Sequence, residues 1–208
     1  MKGSLLFMPP NKNTRPLKDM VRESIFNLLI RSNKISFDIN KSKVLDLFSG
    51  TGSFGLECLS RKAEKVFFIE KEKDAIRILK KNIKKLGLEN KIKIFTDDVF
   101  KIIKENDLLN SKFNLIFCDP PFRNSNIKVL FDLLLENKIL KKDGIIILHR
   151  SKNFKEELPE KITFSKNKKE KVLSVKYGEL YNEKTLKIKE FLLIIQDITD
   201  LEKIIENE

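Results

Sequence analysis

From residue 43 to 148 the chain alternates short, continuous apolar runs with longer amphipathic ones. The runs at 43–48, 65–69, 91–95, 113–118 and 145–148 have the length and apolar continuity of strands buried on both faces. Between them, 53–61, 72–86, 99–109 and 127–137 read as helices. The clearest is 72–86, which is lysine-rich on one side, apolar on the other and closed by Gly87, a C-terminal stop signal. Asp143-Gly144 reads as a turn into the fifth strand. Strand and helix in strict alternation imply an α/β fold, a mostly parallel twisted sheet with helices on both faces.

The flanks read differently. Residues 17–31 predict a helix, with Met20, Val21, Ile25, Leu28 and Leu29 at helical spacing. Lysine-rich 154–168 predicts a loop over the strand ends. Residues 169–175 and 177–181 alternate as two antiparallel strands, a C-terminal hairpin. Beyond them, Ile188, Phe191, Leu192, Ile195, Ile198, Leu201 and Ile205 follow a helical stripe. A long amphipathic helix is expected there, although 191–195 alone also suits a strand. Its apolar face must be covered by the domain or, as the alternative, by a second copy. The expected organisation is a domain over 1–182 and an extension over 183–208.

Composition narrows the class. A chain of 208 residues with 41% hydrophobic content suits one domain with appendages. It holds no run near the roughly 20 apolar residues of a membrane span, and its start is too short in apolar residues for a signal peptide. Cys58 and Cys118 form no metal or redox pattern and read as reduced core thiols of a cytoplasmic protein. The net charge of +12 fits a polyanionic partner. It fits solvated lysine faces in a chain biased toward Lys, Ile and Asn equally well.

The chemistry concentrates at Asp119-Pro120-Pro121-Phe122, directly after the fourth strand. Two prolines stiffen the corner and remove amide donors, which leaves the Pro120 carbonyl outside the routine ladder. A carboxylate, a carbonyl and a flat ring presented together suit a planar group bearing an NH2: two acceptors for its hydrogens and a ring to stack on its plane. A second constellation lies after the first strand. Gly50, Gly52 and Gly55 fit G-x-G-x-x-G, and Glu70 follows at the end of the next strand, where it can accept from ribose hydroxyls. That pattern is shared by dinucleotide and S-adenosylmethionine sites. Asp46, just before the loop, favours the second, because a carboxylate suits a cationic amino-acid end and opposes a pyrophosphate. Asp98 and Val99 add an acceptor and a donor for an adenine edge. The alternative is that Asp97 and Asp98 only cap the following helix.

With these motifs in this order, the chain resembles class I amino-methyltransferases, and more narrowly the RsmD family of bacterial 16S rRNA guanine-N2 methyltransferases. Residues 14–27, 46–57, 169–172 and 177–181 carry the narrower match, which covers about 3–182. The resemblance implies a Rossmann-like fold, S-adenosylmethionine as cofactor without a metal, and 16S rRNA or the assembling small subunit as partner. It implies Asp119, Pro120 and Phe122 as catalytic residues. Asp46, Ser49, Gly50, Thr51, Gly52, Glu70, Lys71, Asp98, Val99 and Asp119 would hold the cofactor. Arg15, Arg22, Pro121, Phe122 and Arg123 would meet the substrate, with Arg15 and Arg22 equally readable as exposed helix-end charges. The chain opens at Met1-Lys2-Gly3, so the family's glycine- and arginine-rich arm is expected to be short or missing. Rival readings are a DNA adenine-N6 or cytosine-N4 methyltransferase, a protein glutamine methyltransferase, a noncatalytic RNA-binding assembly factor and a nicotinamide oxidoreductase. His149, the single histidine, reads as structural.

Overall fold

The computed structural model describes residues 5–8, 17, 19–31, 37–105, 111–121, 126–149, 162–164, 175–177 and 190–195. Five strands build the centre: β1 (Lys43–Leu47), β2 (Lys65–Ile69), β3 (Ile92–Phe95), β4 (Phe113–Cys118) and β5 (Leu140–His149). Around them lie α1 (Asp19–Arg31), α2 (Ser53–Ser60), α3 (Lys73–Leu86), α4 (Val99–Lys104) and α5 (Ile127–Glu136). Strands β6 (Ile162–Phe164) and β7 (Val175–Tyr177) form an antiparallel pair, and β8 (Glu190–Ile195) joins the main sheet.

The sheet order is β3-β2-β1-β4-β5-β8, with every pairing parallel. Successive connections run outward from β1 to β3 and then jump back to β4. The crevice between the carboxyl ends of β1 and β4 is therefore the topological switch point, where open α/β sheets bind ligands. Both sheet faces are covered. On one side Phe26 of α1 stacks on Phe54 of α2 at 5.1 Å, and Phe54 stacks on Phe117 of β4 at 3.8 Å. Leu79 and Ile83 of α3 join that layer. On the other side Ile102 and Ile103 of α4 and Leu130, Phe131 and Leu134 of α5 pack over Leu45, Ile116 and Ile146. Both cysteines are buried. No helix among the described residues is long and apolar enough to cross a membrane.

Three flanking expectations are corrected. Ile162–Phe164, expected in a loop, is a strand and pairs with Val175–Tyr177. The hairpin therefore begins earlier than expected, and 165–174 and 178–181 lie outside the described residues. Glu190–Ile195, expected in a helix, is a strand beside β5. Its run Phe-Leu-Leu-Ile-Ile is rich in strand formers, and β5 offers an edge of unpaired backbone groups that a helix would leave unmet. The rest of the extension lies outside the described residues. Finally, β5 starts at Leu140 rather than Ile145. Phe113 pairs with Leu140, and a register shift before Leu115 carries the strand through Asp143-Gly144 without a turn.

Candidate active site

The glycine loop closes on itself. The Ser49 amide donates to the Ile69 carbonyl at 3.1 Å and the Gly52 amide to the Ser49 carbonyl at 2.8 Å. Gly50 and Gly52 take φ of 55° and 81°, left-handed values that favour glycine. Phe48, at φ 55°, takes the same region with a side chain, an outlier of the sort that gathers at functional loops. Gly55 has a different reason to be glycine. A Cβ there would meet Phe68 Cε1 at 2.4 Å, so its bareness seats α2 on β2.

The acids of the motif hold this loop. Asp46 is 1% exposed, and its Oδ2 accepts the Gly55 amide at 3.0 Å, which ties β1 to the first turn of α2. Burial pushes its carboxyl well above the usual range. The Gly55 hydrogen bond opposes that, and the charges of Asp119 and Glu70 add to it. Glu70 Oε2 accepts the Gly50 amide at 2.7 Å, while Oε1 accepts the Lys71 and Glu72 amides, both at 2.9 Å. A carboxylate offers about four acceptor positions. Three are thus used by backbone amides, and about one remains. Asp98 caps α4, its Oδ1 accepting the Phe100 amide at 3.0 Å, and its Oδ2 lies 3.1 Å from Lys71 Nζ. Asp98 thus caps the helix, and Val99 is buried behind it. The exposed Asp97 carboxyl is held below its usual range, chiefly by its hydrogen bond with Lys101.

Asp119 leaves β4 beside the loop, with Pro120 buried and Pro121 exposed behind it. Arg22 sits on α1, half-buried and 2.8 Å from Asp19 Oδ1. Arg15, Phe122 and Arg123 lie outside the described residues.

Two side-chain contacts at the site were not foreseen from the sequence. His149 Nδ1 lies 2.9 Å from Asp119 Oδ1. Its signal was the strand register, since Cys118 faces Leu148. Asn82 is fully buried on α3. Its Oδ1 accepts the Phe7 amide at 2.7 Å, and its Nδ2 donates to the carbonyls of Phe7 at 3.2 Å and Thr51 at 3.3 Å. It therefore joins the N-terminal segment to the glycine loop. A polar residue inside the apolar stripe Ala75, Leu79, Ile83 was the clue.

The site fits a cationic adenosine ligand. Asp119 and Glu70 lie close enough for their charges to add to the burial that raises Asp46, and carboxylates at this place suit a cationic amino-acid end better than a pyrophosphate. The buried hydroxyls of Ser42 and Ser49 have no hydrogen-bond partner among the described residues. The second lies in the glycine loop, where a ligand or a water would complete it.

A parallel sheet ordered in this way is Rossmann-like, and its likeness to solved methyltransferases makes it a class I methyltransferase fold. The family model described as Conserved hypothetical protein 95 matches residues 1–180. The chain belongs to that family, the RsmD family. It is 32% identical over 174 residues to the Ribosomal RNA small subunit methyltransferase D of Haemophilus influenzae, covering 83% of this chain and 86% of that one. It is 31% identical over 181 residues to the enzyme of the same name from Buchnera aphidicola, subspecies Baizongia pistaciae, covering 87% and 88%. Among solved structures, the Haemophilus influenzae methylase HI0767 superposes with a TM-score of 0.58 at 33% identity, covering 71% of this chain and 88% of that one.

Proposed function

We propose that this protein methylates the exocyclic N2 of a guanine in 16S rRNA of the small ribosomal subunit, with S-adenosylmethionine as donor. The observation that carries the reading is Asp119, set at the switch point beside the glycine loop and followed by two prolines. The relatives named for small-subunit rRNA methylation support the choice of RNA. The acid cluster and the unpartnered Ser49 hydroxyl support the choice of cofactor.

Asp46, Ser49, Gly50, Thr51, Gly52, Glu70, Lys71, Asp98 and Val99 would hold the cofactor. When bound, it supplies a methyl group already activated by sulfonium charge. The guanine amine is a poor nucleophile because its lone pair is delocalised into the ring. Asp119 and the Pro120 carbonyl accept its two hydrogens and turn the lone pair out of that conjugation. Phe122 stacks on the base, which contributes about 1–3 kcal/mol if single-strand stacking is the guide. Holding both reactants in line lowers the barrier by about 7–11 kcal/mol. No strong base is required, since the methylated amine sheds its proton readily and Asp119 is at hand to receive it. A paired guanine has to be flipped out or met already unpaired. Pro121, Arg15, Arg22 and Arg123 are the expected RNA contacts, and Arg22 would exchange Asp19 for a phosphate.

The test offers the protein labelled S-adenosylmethionine with free 16S rRNA, small subunits lacking the modification, DNA or a protein acceptor. Label is expected in rRNA or the subunit. Label in DNA or protein alone would overturn the reading.

A further inference from the structure

The proposed reaction makes no use of His149, yet the fold brings it to the reacting carboxylate. Strands β4 and β5 run parallel with Cys118 opposite Leu148. The next residue on each chain segment, Asp119 just past β4 and His149 at the end of β5, therefore stands beside the other. The result is the 2.9 Å contact between Nδ1 and Oδ1, across 30 residues of sequence. Both side chains are shielded, at 23% and 18% exposure.

The local sequence explains why a distant partner is needed. The terminal torsion of an aspartate is broad and roughly two-fold, so packing alone leaves its carboxylate free to turn. Aspartates in turns usually settle this by accepting the backbone N–H two residues on. Here that residue is Pro121, the one before it is Pro120, and neither has an N–H. The two prolines of this corner thus deprive Asp119 of its ordinary clamp. Among the described residues, His149 is the group that bonds the carboxylate. An ionised carboxylate only accepts hydrogen bonds, so the proton of a neutral ring must sit on Nδ1.

We propose that His149 is a positioning residue for methyl transfer: its Nδ1–H holds Oδ1 of Asp119 and so aims Oδ2 at the substrate amine. The inference rests on the reading of Asp119 as the amine's acceptor. It adds a third element to the Asp-Pro-Pro corner, one supplied by β5.

The test compares His149→Leu, which removes the donor, with His149→Asn, whose Nδ2 stands near the place of Nδ1. Turnover on unmodified small subunits is measured beside S-adenosylmethionine binding by calorimetry. His149→Leu is expected to lose on the order of 100-fold in kcat, as for misplacement of a reacting group, with KM and cofactor affinity unchanged. His149→Asn is expected to recover most of that loss. Because the chain has one histidine, long-range nitrogen–proton NMR at pH 8 reads its tautomer without assignment. The wild type is expected to carry the proton on Nδ1, and Asp119→Ala to lose that preference. The tautomer is read on the native protein, so the inference stays testable if a variant fails to fold. Full kcat in His149→Leu, or a proton on Nε2 in the wild type, overturns the inference and leaves the role of Asp119 standing. Full activity in Asp119→Ala overturns both.

Discussion

Replacing Gly55 by alanine tests how closely α2 is seated on the sheet. The added Cβ would lie 2.4 Å from Phe68 Cε1, 2.7 Å from Phe68 Cζ and 2.8 Å from Val66 Cγ1. Carbon atoms rest about 3.5–4.0 Å apart, so the methyl intrudes by roughly 1 Å on each. Neither neighbour has room to yield. Phe68 and Val66 are fully buried, on a strand held between β1 and β3. Overpacking of this kind costs about 1–3 kcal/mol. Alanine restores about 0.5–1 kcal/mol, because glycine is the poorer helix former and the freer residue in the unfolded chain. The net expectation is a loss of about 1–2 kcal/mol, or a fall of roughly 2–8 °C in Tm for a chain of this size. Gly87→Ala is the control. Its φ is 63° and nothing lies within 4 Å of the added Cβ, so it loses about 1 kcal/mol from backbone strain alone. Urea unfolding followed by circular dichroism measures both. Only Gly55→Ala should also weaken S-adenosylmethionine binding, because its amide is the partner of Asp46. If Gly55→Ala unfolds at or above the wild-type midpoint, α2 does not rest on β2 in the way described.

Three further substitutions address the acids. Burial disfavours the ionised form of Asp46, so its folded pKa lies above its unfolded one. The stability it contributes is full below the ordinary carboxylate range and is lost as pH rises toward the folded value. Asp46→Asn should therefore be more stable than wild type at pH 8, with the gap closing on acidification and cofactor affinity reduced; pH-dependent urea midpoints check this. Glu70→Gln keeps one acceptor oxygen and sets its NH2 either against the Gly50 N–H or against those of Lys71 and Glu72. It should cost about 2 kcal/mol or more in stability and at least roughly tenfold in cofactor affinity by calorimetry. Asp98→Ala removes the α4 cap and should cost about 1 kcal/mol, whereas Lys71→Ala, whose side chain is 58% exposed, should change stability by less than about 0.5 kcal/mol.

What could be read from sequence follows from how each feature is encoded. Strands β2 and β4 matched their apolar runs end to end, because a strand buried on both faces carries its whole signal locally. Helix α3 likewise ended at Gly87, whose φ of 63° is the left-handed cap its position suggested. Strand β8 was misread because Ile188, Phe191, Leu192 and Ile195 satisfy a helical stripe as well as a strand run. Periodicity cannot separate the two over so short a stretch, and the free edge of β5 decided it. The acids were found as residues but not as bonds. That Asp46 and Glu70 spend acceptors on the amides of Gly55 and Gly50 depends on where the loop folds back. His149 was out of reach for the same reason, since its meeting with Asp119 is fixed by the register of two strands.

The most direct measurement is the identity of the modified nucleoside. 16S rRNA from small subunits treated with the protein and labelled S-adenosylmethionine is digested to nucleosides and resolved by mass spectrometry, with Asp119→Ala in parallel. The account predicts label as N2-methylguanosine with the wild type, and none with Asp119→Ala even though that variant still binds the cofactor. Label on adenine or cytosine, or undiminished transfer by Asp119→Ala, would contradict it.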